Sequence, residues 1–265
     1  MRLILSILMA TALIVAGCDD DDDNDHAETF VLVHGAWQAP YVWDQVKTDL
    51  EKQGHYVIVA ELPAHGSDNT PPQNTSLEVY RDAVLASFQS RSEKVVLVGH
   101  SMAGMVISAA AEKSPSKIKK LIYIGAFAPK NGQSLLDLAF SDAQSQLGAS
   151  LIESEDHLTL DVKRENVTSL FCQDAPAAVQ QNVLSNFKPE PAIPFTNAVV
   201  LTESNFGTVE KYYIHTLKDN VIGQNLQNTM AAQVNVKQKY SLDTGHSPFL
   251  SAPEEVTKLL IEISK

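Results

Sequence analysis

The sequence contains few cysteines and no recognisable metal-binding spacing. Only Cys18 and Cys172 occur among its 265 residues. No cysteine pair and no histidine cluster has the spacing of a zinc site, so we predict no bound metal and no cofactor. Cys18 is the expected site of a lipid anchor, which leaves Cys172 as a single thiol. For such a thiol we expect a small, buried apolar role.

Basic runs are also absent from the sequence. It has 20 Lys and Arg against 32 Asp and Glu, for a formal net charge of −12. Nucleic-acid binding requires a basic face, so we predict no nucleic-acid partner. The one dense cluster of charge is acidic and comprises residues 19–23 with Asp25. Like charges at this spacing repel one another, so we expect a solvated tether there.

A sustained apolar run without charge is found at the N-terminus, over residues 3–16. At roughly 14 residues it is too short to span about 30 Å of hydrocarbon, but it suits a secretory signal. The run ends in Val15-Ala16-Gly17-Cys18, which resembles a bacterial lipobox. We therefore expect residues 1–17 to be a lipoprotein signal peptide. The alternative is an uncleaved anchor helix.

Cleavage at this point would make Cys18 the lipidated first residue and residues 18–28 an acidic tether. The mature protein would then be an exported bacterial lipoprotein that faces the periplasm and contacts the membrane through its lipid alone. Asp19 directly after the cysteine resembles an inner-membrane retention signal, but the choice between inner and outer membrane stays open.

Residues 29–265 alternate between strand-like and helix-like segments, which predicts one α/β domain with a parallel sheet wrapped in helices. We expect strands at 30–34, 56–60, 94–98, 121–125, 209–215 and 236–242, and helices at 41–53, 77–89 and from about 252 onward. The alternation stops between about 129 and 194, where short helical patches occur at 134–140 and 177–187. An insertion between two sheet strands is expected to form a helical cap over an active site.

The most informative motif is Gly99-His100-Ser101-Met102-Ala103-Gly104, which follows an apolar strand and precedes a helix-compatible segment. It predicts a nucleophile elbow with Ser101 at the apex of a sharp turn. Strand and helix backbones nearly touch in such a turn, so small residues are needed two positions either side of the serine. Gly99 meets this need, and Ala103 replaces the usual second glycine, a change we expect to be tolerated. The alternative is a structural serine in an ordinary turn.

A serine hydroxyl needs a general base, and that base needs a carboxylate to orient it. His246 follows the last predicted strand, where the chain order Ser, Asp, His places the base. Asp219 lies just past the preceding strand and is the predicted acid. Asp243 is the alternative, although few residues separate it from His246, and Glu210 lies at the wrong end of its strand.

Acyl transfer also needs two backbone N–H groups that bind the oxyanion. We expect one from Met102, at the start of the elbow helix, and the other from Ala36, in the loop after the first strand. His34 is expected to brace this loop rather than to perform chemistry. Trp37 and Trp43 are either pocket walls or buried structural residues.

Four segments together resemble the α/β-hydrolase superfamily. They are residues 30–37 (FVLVHGAW), the GHSMAG elbow, the segment 217–219 (LKD) and residues 243–249 (DTGHSPF). Within it they resemble the branch of methyl-salicylate-type esterases, hydroxynitrile lyases and bacterial serine esterases. The resemblance implies an α/β-hydrolase fold with about six mostly parallel strands under a helical cap. It also implies the roles given above for Ser101, Asp219 and His246.

Two departures favour ester hydrolysis within this branch. Hydroxynitrile lyases carry threonine at the position of Gly35 and lysine at that of Ser247, and without the lysine a nascent cyanide lacks its electrostatic partner. The resemblance therefore implies a serine esterase that cleaves a small carboxylic ester through an acyl-enzyme on Ser101. A lyase-type or other non-hydrolytic enzyme, or a triad-bearing binding protein, are the alternatives. The polar composition of the insertion favours soluble esters over triglycerides.

Overall fold

A computed structural model describes residues 27–265. The predicted signal peptide, Cys18 and all but the last two residues of the predicted tether lie outside this range. Six strands form one parallel sheet in the order β2-β1-β3-β4-β8-β9. They are β1 (Thr29–Val33), β2 (Tyr56–Ala60), β3 (Val95–His100), β4 (Ile118–Ile124), β8 (Glu210–Thr216) and β9 (Gln238–Leu242). No helix within residues 27–265 is both long and apolar enough to cross a membrane.

The sheet is covered on both faces by helices, as a parallel sheet requires. The helices are α1 (Asp44–Lys52), α2 (Leu77–Ser87), α3 (Ala103–Lys113), α4 (Leu135–Phe140), α5 (Arg164–Phe171), α6 (Ala177–Asn186), α7 (Ile193–Thr196), α8 (Gln224–Gln233), α9 (Pro248–Ser251) and α10 (Pro253–Ser264). Successive residues of β1 and β3 belong alternately to two separate hydrophobic cores. One core packs against α1 and α10, and the other packs against α2, α3 and α8.

This architecture confirms the predicted fold class, and the differences are local. The predicted helix 41–53 divides into a 3-10 helix at Pro40–Trp43 followed by α1. Strand β3 extends to His100, two residues beyond the prediction, because its pairing with β4 continues up to the nucleophile turn. Helices α5 and α8 were not indicated by the sequence pattern.

The cap segment, residues 129–194, lies between β4 and β8 and contains α4 to α6 and the start of α7. It also contains a three-stranded antiparallel sheet, which the sequence analysis did not indicate. Its strands are β5 (Leu151–Glu153), β6 (Thr159–Val162) and β7 (Glu190–Pro191). Strand β7 arrives from far along the chain, so no local hairpin pattern marks it. The cap is therefore mixed in structure.

Candidate active site

Ser101 occupies the sharp turn between β3 and α3. Its φ angle is +54°, a left-handed conformation that strains a residue with a side chain. The turn is held because the Ser101 carbonyl accepts hydrogen bonds from the amides of Gly104 and Phe127, both at 3.0 Å. The elbow geometry predicted from the sequence is therefore present, and Ser101 lies at the carboxyl end of the central strands.

Two glycines make room for this turn. A side chain at Gly99 would lie 2.9 Å from the Ala103 carbonyl oxygen, and one at Gly104 would collide with the carbonyl of Phe127. The second close approach thus falls at Gly104, one position after the usual glycine of the motif. Ala103 carries its methyl group into the buried core at the start of α3.

The structure joins the predicted acid to the predicted base. His246 Nδ1 lies 2.9 Å from Asp219 Oδ2, and both side chains are fully buried. The alternatives lie elsewhere. Asp243 is exposed and forms an ion pair with Lys218, and Glu210 pairs with Lys237 at the opposite end of β8.

The Asp219 carboxylate is surrounded by donors from its own stretch of chain. Oδ1 accepts the amides of Val221 at 2.7 Å and Ile222 at 2.9 Å. Oδ2 accepts the Thr216 hydroxyl at 2.7 Å and, more weakly, the Gln227 amide at 3.4 Å. These contacts leave the carboxylate a single orientation, with Oδ2 directed at the imidazole.

Gln227 is a site residue that the sequence analysis missed. It is fully buried on α8, and its amide also donates to the carbonyls of Ile222 at 2.7 Å and Thr216 at 3.2 Å. Its carbonyl accepts the Thr216 amide at 3.1 Å. One side chain therefore fastens both ends of the loop that carries Asp219. The available signal was a glutamine on a helix face that is otherwise apolar at Met230 and Ala231.

His246 presents its other ring nitrogen without a partner. Its Nε2 is buried and accepts or donates no hydrogen bond within the described chain. With the Nδ1 proton donated to Asp219, this nitrogen carries the lone pair that a general base needs. Hydrogen bonds between base and nucleophile are often long in ligand-free enzymes.

His100, next to the predicted nucleophile Ser101, supports the backbone of His246. Its Nε2 donates to the His246 backbone carbonyl at 2.9 Å, and its ring packs edge-on against Phe249. Burial, reinforced by the nearby His246, holds the pKa of His100 well below its usual range. A neutral ring with one donor therefore fixes the backbone of the predicted base.

The loop after β1 carries Ala36, and His34 orients it. His34 Nδ1 donates to the Gly35 carbonyl at 2.9 Å, and Nε2 accepts the Leu62 amide at 3.3 Å. Burial lowers the pKa of His34 to about 3, so the ring is neutral. The Gly35 carbonyl belongs to the same planar peptide unit as the Ala36 N–H, so the His34 contact also sets the direction of that donor.

An apolar cavity of about 260 Å³ opens over Ser101. It is bounded by the two predicted oxyanion residues, Ala36 and Met102, and by cap side chains. The residues are Ala36, Trp37, Ser101, Met102, Phe127, Leu135, Leu136, Ala139, Phe140, Asp142, Ser145, Leu147, Gly148, Leu151, Leu160, Phe195 and Val221. Trp37 is thus a pocket wall, whereas Trp43 is buried against Phe249 in the core.

The cap also contacts the loops of the predicted acid and base directly. Asp174, just after α5, accepts the Gly245 amide at 2.7 Å, and Gln173 donates to the Lys218 carbonyl at 2.8 Å. Each contact falls next to a predicted catalytic residue. Neighbouring Cys172 is a free, buried thiol, and burial raises its pKa to about 11.

Comparison with known proteins decides the family. Residues 30–259 match the model of the alpha/beta hydrolase family. The chain belongs to this family. It is 33% identical over 260 residues to "Putative methylesterase 13, chloroplastic" of Arabidopsis thaliana, covering 92% of this chain but 57% of that protein. The chain thus spans little more than half the length of that relative.

Two further α/β-hydrolases match over nearly their full length. Methylesterase 17 of Arabidopsis thaliana is 28% identical, with 88% of this chain and 90% of that protein covered. The solved structure of an extracellular α/β-hydrolase from a Paenibacillus species is 27% identical, with a TM-score of 0.76. It covers 89% of this chain and 98% of its own. These matches support the predicted branch of the superfamily.

Proposed function

We propose that this α/β-hydrolase is a serine esterase that cleaves small carboxylic esters through an acyl-enzyme on Ser101. The observation that carries the proposal is the fully buried Asp219–His246 pair, in which His246 Nε2 has no hydrogen-bond partner among residues 27–265. This pair lies at the same carboxyl edge of the sheet as the strained turn of Ser101. Such an arrangement supplies a nucleophile, a base and an orienting carboxylate.

In this mechanism His246 Nε2 takes the proton of Ser101 Oγ as that oxygen bonds to the ester carbonyl carbon. The carbonyl oxygen becomes an oxyanion, stabilised by the N–H groups of Ala36 and Met102. Collapse breaks the bond to the alkoxy oxygen, which leaves as an alcohol with the proton from His246. A water molecule then bonds to the acyl carbon as His246 takes its proton. The bond from that carbon to Ser101 Oγ breaks, His246 returns the proton to Oγ, and the acid is released. Asp219 stabilises the imidazolium in both halves.

The cavity favours an ester with a compact apolar acyl part and a small alcohol. Its walls are mostly aliphatic and aromatic, and its volume of about 260 Å³ is below the range of drug-sized ligand pockets. The named relatives are methylesterases. A methyl ester of a compact apolar acid satisfies both the volume and the lining.

Three observations favour hydrolysis over the lyase alternative. A side chain at position 35 would lie 2.8 Å from His100 Nδ1 and 2.9 Å from Ser101 Cβ, so the threonine of the lyases does not fit this turn. Ser247 is buried and neutral, with its hydroxyl bonded to Gln38. The residues that line the cavity in the described chain include no lysine or arginine that could hold cyanide.

The test is turnover of p-nitrophenyl butyrate and methyl benzoate by the wild-type protein and by Ser101→Ala. Loss of a triad nucleophile costs about 10⁴ to 10⁶-fold in kcat, and labelling by a fluorophosphonate probe should disappear with it. Ser108→Ala is the matched control, because Ser108 is also buried, on the helix α3 that follows Ser101, but bonds Tyr123. Full activity in Ser101→Ala, or a wild-type protein that binds esters without cleaving them, would contradict the proposal.

We also propose that the enzyme is attached to a bacterial membrane by a lipid on Cys18. The sequence of residues 15–18 supports this, and it is tested by radiolabelled palmitate in an expressing bacterium. Label in the wild type and none in Cys18→Ser is the expected result. Unlabelled wild-type protein, released into the soluble fraction, would overturn it.

A further inference from the structure

Trp37, one residue after the predicted oxyanion donor Ala36, has a strained backbone that the cap holds in place. Its φ angle is +60°, a region that a bulky residue rarely adopts. Its amide donates to Glu190 Oε2 and its indole Nε1 donates to the Leu160 carbonyl, both at 2.8 Å. Both acceptors belong to the cap, on β7 and β6. The conformation of this turn therefore depends on partners more than 120 residues away.

Glu190 is a fully buried carboxylate at the junction of cap and core. Besides Trp37, its Oε2 accepts His65 Nε2 at 2.7 Å, and its Oε1 accepts the Tyr80 hydroxyl at 3.3 Å. His65 Nδ1 faces the Pro63 carbonyl at 2.9 Å, so both ring nitrogens face acceptors. Burial disfavours the charged ring, but Glu190 and the neighbouring backbone carbonyls together outweigh it and raise the pKa of His65. With an acceptor at each ring nitrogen, the geometry suits a doubly protonated ring beside the carboxylate, as a buried ion pair.

A buried ion pair is not in itself a reason for stability, because desolvation of both groups offsets their attraction. Apolar residues would attach the cap equally well at this position. A carboxylate adds a specific ability: one oxygen can accept a backbone N–H while the charge is balanced by another side chain. Here that backbone N–H belongs to Trp37, in the turn beside Ala36. The Glu190–His65 pair therefore contacts the backbone of the proposed active site directly.

We propose that Glu190 is a positioning residue for the oxyanion hole. By accepting the Trp37 amide, it fixes the Ala36–Trp37 peptide plane, just as His34 fixes the Gly35–Ala36 plane through the Gly35 carbonyl. Ala36 is then held between two fixed peptide planes, which set the direction of its N–H. The Trp37 amide is already bonded, so it does not compete as an oxyanion donor. This inference rests on the proposed function.

Such a role predicts an effect on the transition state rather than on substrate binding, since the oxyanion forms only as the bond is made. Removal of one oxyanion donor costs about 10² to 10³-fold in kcat, and a misdirected donor should cost part of this, about 10 to 100-fold. Affinity for the ground-state ester should change little, because the apolar walls of the cavity remain.

Three substitutions separate hydrogen bonding from charge. Glu190→Leu removes the acceptor at nearly constant volume and should lower kcat about 10 to 100-fold with KM within about threefold. Glu190→Gln keeps an oxygen for Trp37 and should stay within about fivefold of wild type. Glu190→Asp keeps the charge beside His65 but withdraws the carboxylate by one methylene, and should resemble Glu190→Leu. The affinity for a trifluoromethyl ketone, which forms an oxyanion adduct, should fall in step with kcat.

Asn197→Ala is the matched control, since Asn197 lies just after the cap segment and accepts the Leu77 amide away from the oxyanion loop. It should leave kcat unchanged. An equal loss of kcat in this control, or a rise in KM alone in the Glu190 variants, would contradict the inference. It would show that Glu190 only attaches the cap to the core. Full ester turnover by Glu190→Leu and Glu190→Asp would overturn the inference alone. A wild-type enzyme without ester turnover would instead overturn the proposed function.

Discussion

The loop that carries Asp219 and the loop that carries Ala36 are stabilised in opposite ways. Around Asp219, the donors come from Thr216, Val221, Ile222 and Gln227, all within eleven residues of one another. Around Ala36, the turn is fixed by His34 locally but by Glu190 and Leu160 from the cap. The loop that carries Asp219 is thus stabilised by hydrogen bonds from nearby residues of the chain. The loop that carries Ala36 depends in addition on hydrogen bonds to the cap segment.

The two loops should therefore respond to different changes. Loss of a side chain in the Asp219 loop should first disturb the position of His246. A shift of the cap should first disturb the groups that bind the oxyanion. Substitutions in each loop should therefore change different kinetic quantities.

The largest effect is expected from Asp219→Asn. The amides of Val221 and Ile222 hold the side-chain oxygen, so the new NH₂ must face His246 and force its proton onto Nε2. In that tautomer the ring cannot accept the serine proton, and kcat should fall about 10⁴-fold. Steady-state kinetics with p-nitrophenyl butyrate measures this. Asp243→Asn, at an exposed position, should keep full activity; the reverse ranking would reassign the acid.

A smaller effect is expected from Gln227→Leu. The change leaves the Thr216 amide and the Ile222 carbonyl buried without their partner, at about 1–3 kcal/mol for each group. We expect the free energy of unfolding to fall by about 2–4 kcal/mol and kcat by about tenfold through the loosened Asp219. Urea titration and kinetics measure the two. Gln233→Leu on the same helix loses hydrogen bonds to the Ala128 carbonyl and the Gln133 side chain, away from Asp219, and serves as control. An unchanged kcat would show that Asp219 needs no support from α8.

The smallest effect is expected in the pH dependence of stability, through His34 in the oxyanion loop. The pKa of His34 is about 3 in the folded protein against 6.5 for a free side chain. Below pH 6.5 the unfolded chain binds a proton that the folded one refuses, so stability falls as pH falls toward 3. Between pH 7 and pH 5 this contribution amounts to about 2 kcal/mol.

Urea unfolding of the wild type and His34→Asn at both pH values isolates this contribution. His65 and His100 interact electrostatically with His34, so the difference between the two pH slopes reports position 34 together with these couplings. The variant should lose less stability on acidification than the wild type. Identical slopes would mean that His34 is protonated in the folded state and that the oxyanion loop is held differently.

The sequence permitted prediction wherever a feature is encoded locally. The turn at Ser101 and the sheet strands follow from small residues and β-branched runs that act over a few positions. The placement of Asp219 and His246 follows from where their strands end. These are short-range effects, so one segment carries all the information needed to recognise them.

The parts that escaped prediction depend on distant partners. Glu190 contacts Trp37 and His65 across 153 and 125 residues, and nothing in its own segment marks it as buried. Strand β7, which carries it, has only two residues. Gln227 lies closer to its partners, but a helix-compatible glutamine looks like a solvated one until the loop is folded over it.

The two cap contacts beside the loops of the predicted acid and base, Asp174 to Gly245 and Gln173 to Lys218, have a consequence for how this protein can change its substrate. Aliphatic cavity walls such as Leu136, Ala139 and Leu147 can be replaced one at a time, since each contributes volume and little else. A whole cap borrowed from a relative must bring these two side chains and Glu190 with it. Diversification of this scaffold should therefore proceed by exchange of wall residues within a conserved polar frame.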